Sequence, residues 1–364
     1  MPGQLELLPS PEQTALTGWP WSQQTDPHIY KHRSQWPKIS IVTPSFNQGI
    51  FLEATIRSVL LQNYPNLEYL VIDGGSTDET LTILHKYGAH LTYWISEADE
   101  GQSAAINKGL SRCNGDYFNW INSDDYLEKD ALFNIASQIH PSTSIIAGYC
   151  TVFDDASGIV EMNYRLGVGP NVETTIINHT MCQPSMFYKT EVLKASSGLD
   201  ESLHYTMDLA LFISHLSEHG INGIQLIAEN ISFFRKHNLS KTVSIQEKFE
   251  EEERKLYAYL LSCCNTGQKS LQLISAQPYQ PAKPWTVHLN QKRVENLIYK
   301  KFILRNARHA YARADYRQMK IYLKQYLSSP ALDITSGLLK LIACSYLIPK
   351  VLLSKLRVFY KSKL

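Results

Sequence analysis

Between Ile39 and Asp78 the chain reads ISIVTPSFNQGIFLEATIRSVLLQNYPNLEYLVIDGGSTD. Two apolar runs rich in β-branched residues, Ile39 to Thr43 and Tyr69 to Ile72, flank a segment of helical period. Each run stops in turn chemistry, Pro44-Ser45 after the first and Asp73-Gly74-Gly75 after the second. Two short strands joined by a helix-length crossover make a parallel βαβ unit. Such a unit commits the chain to an open α/β layer fold. It also sets Ser45 and Asp73 at the carboxyl ends of neighbouring strands, where open sheets bind ligands. Neither GxxxxGK[ST] nor GxGxxG occurs, so the site is not a phosphate loop of either type.

Strand and helix patterns alternate from there to about Val243. Strands are expected at Leu91 to Ile95, Tyr117 to Ile121, Ser144 to Val152, Ile224 to Glu229 and Ile231 to Arg235. Helices are expected near Ser103 to Ser111, Glu191 to Lys194 and Met207 to His219, with an irregular stretch from Val152 to about His179. The chain of 364 residues then divides into an extended arm (1–36), an α/β domain (37–243), a helical region with a Gln/Ser/Pro-rich linker (244–335) and a basic tail (336–364). Within the helical region, Val294 to Leu327 reads as a hairpin broken near Ala314-Asp315.

Charge and cysteine usage narrow the class. A net charge of +1 offers no basic field for nucleic acid. The six cysteines form no CxxC pair and no metal-finger spacing, and the N-terminus is not signal-like, so reduced thiols in a cytoplasmic protein are expected. The tail carries Lys340, Lys350, Lys355, Arg357, Lys361 and Lys363 among aliphatic residues with no acid. No uncharged apolar run there is long enough to span a bilayer. A basic amphipathic segment on the anionic inner face of the cell membrane is expected, the alternative being a helix docked on its own domain.

Two further strand ends carry acids. Asn119-Trp120-Ile121-Asn122-Ser123-Asp124-Asp125 delivers adjacent carboxylates, which repel and call for a cation such as Mg²⁺ or Mn²⁺; alone, the pair would more readily start a turn or cap the next helix. In Ser96-Glu97-Ala98-Asp99-Glu100-Gly101, Asp99 either contacts a nucleobase or ribose or caps the helix that follows. Asp73, Asp99 and Asp124/Asp125 would then share one rim.

The ordered series TPSFNQ, SVLLQNYPNLEYLVIDGGSTD, SEADEGQSAAINKG and GDYFNWINSDD resembles the family 2 glycosyltransferases, inverting enzymes of GT-A fold that use nucleotide sugars. The likeness runs from about residue 38 to about 240. It implies a Rossmann-like mixed central sheet flanked by helices, to which this sequence adds a C-terminal helical extension. It also implies that Pro44, Ser45 and Asp73 line the nucleoside pocket and that Asp99 approaches the base and ribose. Asp124 and Asp125 stand at the DxD-type position, one on the ribose or a divalent metal and the other on the metal; the usual first acid is here Asn122 or Ser123. Asp208, at the start of a helix after Leu199-Asp200-Glu201-Ser202-Leu203-His204-Tyr205, becomes the general base; relatives often carry a second acid where this chain has Ala210. Arg235 would neutralise phosphate, and His237 would ligate the metal or donate to the pyrophosphate. The implied partners are a nucleotide-sugar donor, most simply a UDP-sugar, and a glycan or lipid-linked acceptor in cell-surface polysaccharide synthesis. No QxxRW follows, which favours single additions. Ala210 and the missing acid support an alternative, a nucleotide-sugar-binding scaffold at the membrane.

Overall fold

The computed structural model describes residues 3–11, 15–196, 198–238, 240, 246–264, 268–274 and 276–328. The tail from 336, and with it the expected membrane segment, lies outside the described residues. They divide into two compact units, residues 1–252 with 281–286, and residues 253–280 with those from 287 onward.

The first unit is built on a mixed sheet. Its strands are β1 (Ile39–Ser45), β2 (Leu67–Asp73), β3 (Tyr93–Ser96), β4 (Tyr117–Trp120), β5 (Tyr126–Leu127), β6 (Ile145–Asp154), β7 (Val160–Arg165), β8 (Met186–Lys189) and β9 (Ile224–Lys236). The spatial order is β3-β2-β1-β4-β8-β6-β9-β5, with β7 also paired to β6. β1, β2, β3 and β4 run parallel, and β8 is antiparallel to both β4 and β6. All seven residues of β1 are buried, as a parallel strand covered on both faces requires. Ser45 pairs in register with Asp73, and Asp73 with Ser96, so three strand ends meet at one rim.

The helices of this unit are α1 (Gln4–Leu7), α2 (Gly49–Leu60), α3 (Thr80–Tyr87), α4 (Gln102–Arg112), α5 (Ala131–Gln138), α6 (Val172–Asn178), α7 (Thr190–Ala195) and α8 (Met207–His219). α2 is buried along nearly its whole length, because the N-terminal arm covers the side turned from the sheet. Arg57 on α2 donates to the carbonyls of Pro9 (3.1 Å), Pro20 (3.1 Å) and Trp21 (2.8 Å), and Trp19 Nε1 donates to Leu127 O (2.7 Å). One buried guanidinium thus meets three arm carbonyls at once.

Two expectations change here. The stretch after Val152 is not irregular: it holds β7 and α6, the latter closed by an Asn171–Thr174 capping box. Cys150 and Cys182, expected as thiols, are joined in a disulfide, because β6 and the turn before β8 bring their Cα atoms to 6.2 Å. Cys113 is a free, buried thiol, and burial pushes it up to about 12.

Helix α9 (Gln246–Cys263) belongs to the first unit through Glu252. The second unit holds the rest of it, α10 (Gln268–Ile274), α11 (Gln291–Ala312) and α12 (Tyr316–Leu327). α10 occupies part of the expected linker. Ala314 turns the hairpin at φ 63°, Asp315 caps α12, and Ile303, Ala307, Met319 and Leu323 fill the seam. Among the described residues no helix is long and apolar enough to cross a membrane.

Candidate active site

A cavity of about 690 Å³ opens at the carboxyl ends of the parallel strands. Pro44 and Ser45 from β1, Gly74 after β2, Asp99 after β3, Asn122 to Asp124 after β4, and Asp208 from the first turn of α8 all line it. Five residues picked out by sequence, Pro44, Ser45, Asp99, Asp124 and Asp208, therefore line one cavity. Four others, Asp73, Asp125, Arg235 and His237, stand behind it.

At the donor end, the Ser45 hydroxyl is buried and has no hydrogen-bond partner among the described residues. A buried hydroxyl on a cavity wall is costly unless something enters to meet it. Beside it Phe46 exposes 61% of its surface at the cavity mouth, a residue quoted in the opening motif but given no role there. Asp99 accepts from Gly101 N–H (2.9 Å) and lies over Gly74, where a Cβ would meet its carboxylate at 3.1 Å. Gly74 is the residue that lets the two loops close on each other.

Asp73 is fully buried and saturated. It accepts from Gly75 N–H (3.2 Å), Ser76 N–H (2.9 Å), the Ser76 hydroxyl (2.5 Å) and the Ser96 hydroxyl (2.6 Å). In this arrangement it builds the rim and does not face the cavity.

The adjacent acids after β4 separate by environment. Asp124 Oδ2 reaches the wall, 3.0 Å from His237 Nε2, and the imidazole packs at a tilt against Phe51, ring centroids 4.4 Å apart. Asp125 turns inward, accepting from Arg235 N–H (3.0 Å) and Asn122 Nδ2 (3.2 Å). Burial first, and then the Asp124 charge, push the Asp125 carboxyl well above the usual carboxylate range. Arg235 is committed as well. Its Nε donates to the Asp124 carbonyl (2.9 Å), it pairs with Asp155, and Phe51, Tyr126 and Phe153 enclose its guanidinium. The cation at the cavity is instead Lys236, paired with Glu161 at 2.6 Å.

Among the described residues no three His, Cys, Asp or Glu side chains converge as a metal site. The Asp124–His237 pair nevertheless fits a divalent cation that takes its remaining oxygens from a diphosphate and water, since a carboxylate at the wall already touches an imidazole directly behind it.

Across the cavity, Asp208 accepts from Leu209 N–H (2.8 Å) at the start of α8. Burial pushes its carboxyl up to about 6, and the Glu252 charge adds to the rise. Ala210, where relatives often carry an acid, is 4% exposed and off the cavity wall. Tyr164, Met181, His204, Tyr205 and Phe249 complete this side.

The family model for glycosyl transferase family 2 matches residues 40–195, the stretch that carries Ser45, Asp99 and Asp124. An uncharacterised glycosyltransferase of Rickettsia typhi is 27% identical over 236 residues, 61% of this chain and 71% of that protein. Chondroitin synthase of Escherichia coli is 25% identical over 239 residues, which cover 62% of this chain and 34% of the synthase. In fold, the chain is similar to TarS 1–349 of S. aureus, solved in complex with UDP-GlcNAc: TM-score 0.52 at 18% identity, covering 80% of each chain. The mixed sheet with flanking helices is a GT-A fold. Motif series, domain match and fold agree that residues 40–195 hold a family 2 glycosyltransferase domain.

Proposed function

We propose that this glycosyltransferase moves a sugar from a UDP-sugar to a hydroxyl of a glycan or lipid-linked acceptor, with inversion, in cell-surface polysaccharide synthesis. One observation carries the reading: a carboxylate tuned to about 6, Asp208, faces the same cavity as the Ser45 hydroxyl and Asp124. A base with that pKa is ionised at neutral pH yet basic enough to take a proton in the transition state. The similarity to TarS, solved with UDP-GlcNAc, and to a chondroitin synthase supports the donor class and the polysaccharide product.

The residues divide the work by position. Ser45 gives the nucleoside a hydrogen bond, Asp99 accepts from base or ribose, and the exposed Phe46 ring offers a stacking face. Asp208 takes the proton from the acceptor hydroxyl as its oxygen attacks the anomeric carbon and the bond to the diphosphate breaks on the opposite face. Asp124 and His237 would hold Mn²⁺ or Mg²⁺, which supplies positive charge for the departing diphosphate. Asp125 and Arg235 keep the Asp124 loop in place. Lacking QxxRW, the enzyme makes single additions, and the basic segment 336–364 brings it to an anionic leaflet.

The buried place of Ala210 supports this reading over the scaffold alternative, because an acid there would face the core and not the acceptor. The test is a donor screen: nucleoside diphosphate release from a panel of nucleotide sugars with Mn²⁺. Release from a UDP-sugar and loss of it in Asp208→Asn are expected; binding without turnover by the wild type would favour the scaffold.

A further inference from the structure

Asp208 sits in the first turn of α8, and the turn that leads into α8 is held from elsewhere. Thr206, the N-cap residue, makes no capping bond with its own side chain. Instead the carboxylate of Glu252, on α9 and 9% exposed, accepts from three consecutive backbone N–H groups: His204 (3.0 Å), Tyr205 (2.9 Å) and Thr206 (3.0 Å). It accepts also from the Thr206 hydroxyl (3.1 Å). Successive amides turned toward one point make a concavity that favours an anion, and a side chain 46 residues along the sequence fills it here. One turn earlier on α9, Phe249 packs on Tyr205 with ring centroids 5.3 Å apart, and both rings line the cavity.

We propose that Glu252 is a positioning residue for Asp208: it fixes His204 to Thr206 so that α8 begins where its first-turn carboxylate faces the acceptor hydroxyl. This rests on the base role given to Asp208 above. The clamp lies beyond the family match, which ends at residue 195, so it is a feature of this chain's C-terminal half. Three titratable groups face Asp208 from neighbouring elements, Tyr164 on β7, Tyr188 on β8 and Glu252 on α9. Burial pushes both phenols up, so they stay neutral and Glu252 supplies the charge. Glu252 therefore orients the base and adds a smaller rise to the one that burial already gives its carboxyl.

The test uses the full chain and UDP release from the nucleotide sugar that the wild type turns over best, followed across pH. Glu252→Gln removes the charge at nearly constant shape. It should lower kcat by about tenfold or more while donor KM stays within about twofold, because misplacement of a reacting group costs rate and not donor contacts. The acid limb should move to lower pH, and amide exchange in peptides covering His204 to Thr206 should quicken. Glu252→Asp keeps the charge and should lower kcat with the acid limb in place. An unchanged kcat in Glu252→Gln, or losses in kcat and KM together with an unmoved acid limb, would overturn the proposal and leave the transfer reading standing. A wild type that releases nothing from any donor would overturn both.

Discussion

At the scale of single residues, Asp208 carries a conflict between stability and activity. Its folded carboxyl titrates near 6 against a reference of 3.8, so ionisation costs the folded state more than the unfolded chain. That cost is absent below about pH 3.8, grows as pH rises, and is complete above about 6. Asp208→Asn should therefore raise the thermal midpoint at about pH 7.5 and lose the advantage in strong acid, read by scanning calorimetry at both pH values. The same change should lower transfer by a factor of about 10² to 10⁴ with nucleotide affinity kept. In the wild type, transfer should fall as pH drops below about 6, because the base is then protonated. The paired acids after β4 make opposite predictions. Asp124→Ala should remove the Mn²⁺ dependence of UDP binding in calorimetry and leave stability nearly unchanged. Asp125→Ala should instead cost about 1–3 kcal/mol in urea unfolding, since it strands the Arg235 amide and Asn122 Nδ2 in the interior. Sequence marked both acids but not this division, because the groups that sort them come from β9, more than a hundred residues away. Arg235 shows the same limit: its charge suggested phosphate, and only the fold reveals the cage of Phe51, Tyr126 and Phe153. Glu252 was hidden differently, as one of four consecutive glutamates whose run reads as a solvated face.

At the scale of elements, the β1–α2–β2 unit was legible because its signals are local: apolar period, Pro44-Ser45 and the Gly turn at 74–75. β9 was not. The pattern suggested two strands, at Ile224 to Glu229 and Ile231 to Arg235, yet one bulged strand runs through both. The bulge is visible in the register, where Ala147 pairs with Leu226 but Tyr149 with Asn230. Gly148 on β6 makes room for it: a Cβ there would lie 2.6 Å from the Glu229 carbonyl and 2.3 Å from an Ile231 side-chain carbon. Backbone cannot yield cheaply, so Gly148→Ala should destabilise by about 1–3 kcal/mol in urea. Because β9 continues to Arg235 and Lys236, it should also weaken UDP binding, whereas a packing defect confined to the core would leave affinity intact. β7 and α6 escaped notice for another reason. β7 does alternate, as Val160-Glu161-Met162-Asn163-Tyr164-Arg165, but the run is short and exposed along most of its length, so the alternation marks no core face.

At the scale of the whole molecule, charge is distributed unevenly in a way the net value conceals. The chain carries +1 overall, but 336–364 hold six cations and no acid, which leaves the preceding residues net negative. An anionic bilayer would therefore repel the body of the protein weakly and attract the tail, at about 1 kcal/mol for each Lys or Arg near the surface. Six such residues among leucines and valines suffice for reversible attachment, with affinity that salt removes as the Debye length shortens. Full-length protein should co-sediment with vesicles containing phosphatidylserine at low salt and dissociate at high salt. A chain ending at residue 335 should stay in the supernatant in both conditions and keep its release of UDP from a soluble donor. Equal sedimentation of the two chains would place the membrane contact elsewhere, on a surface whose net charge opposes it. Loss of UDP release on truncation would give the tail a part in the fold instead.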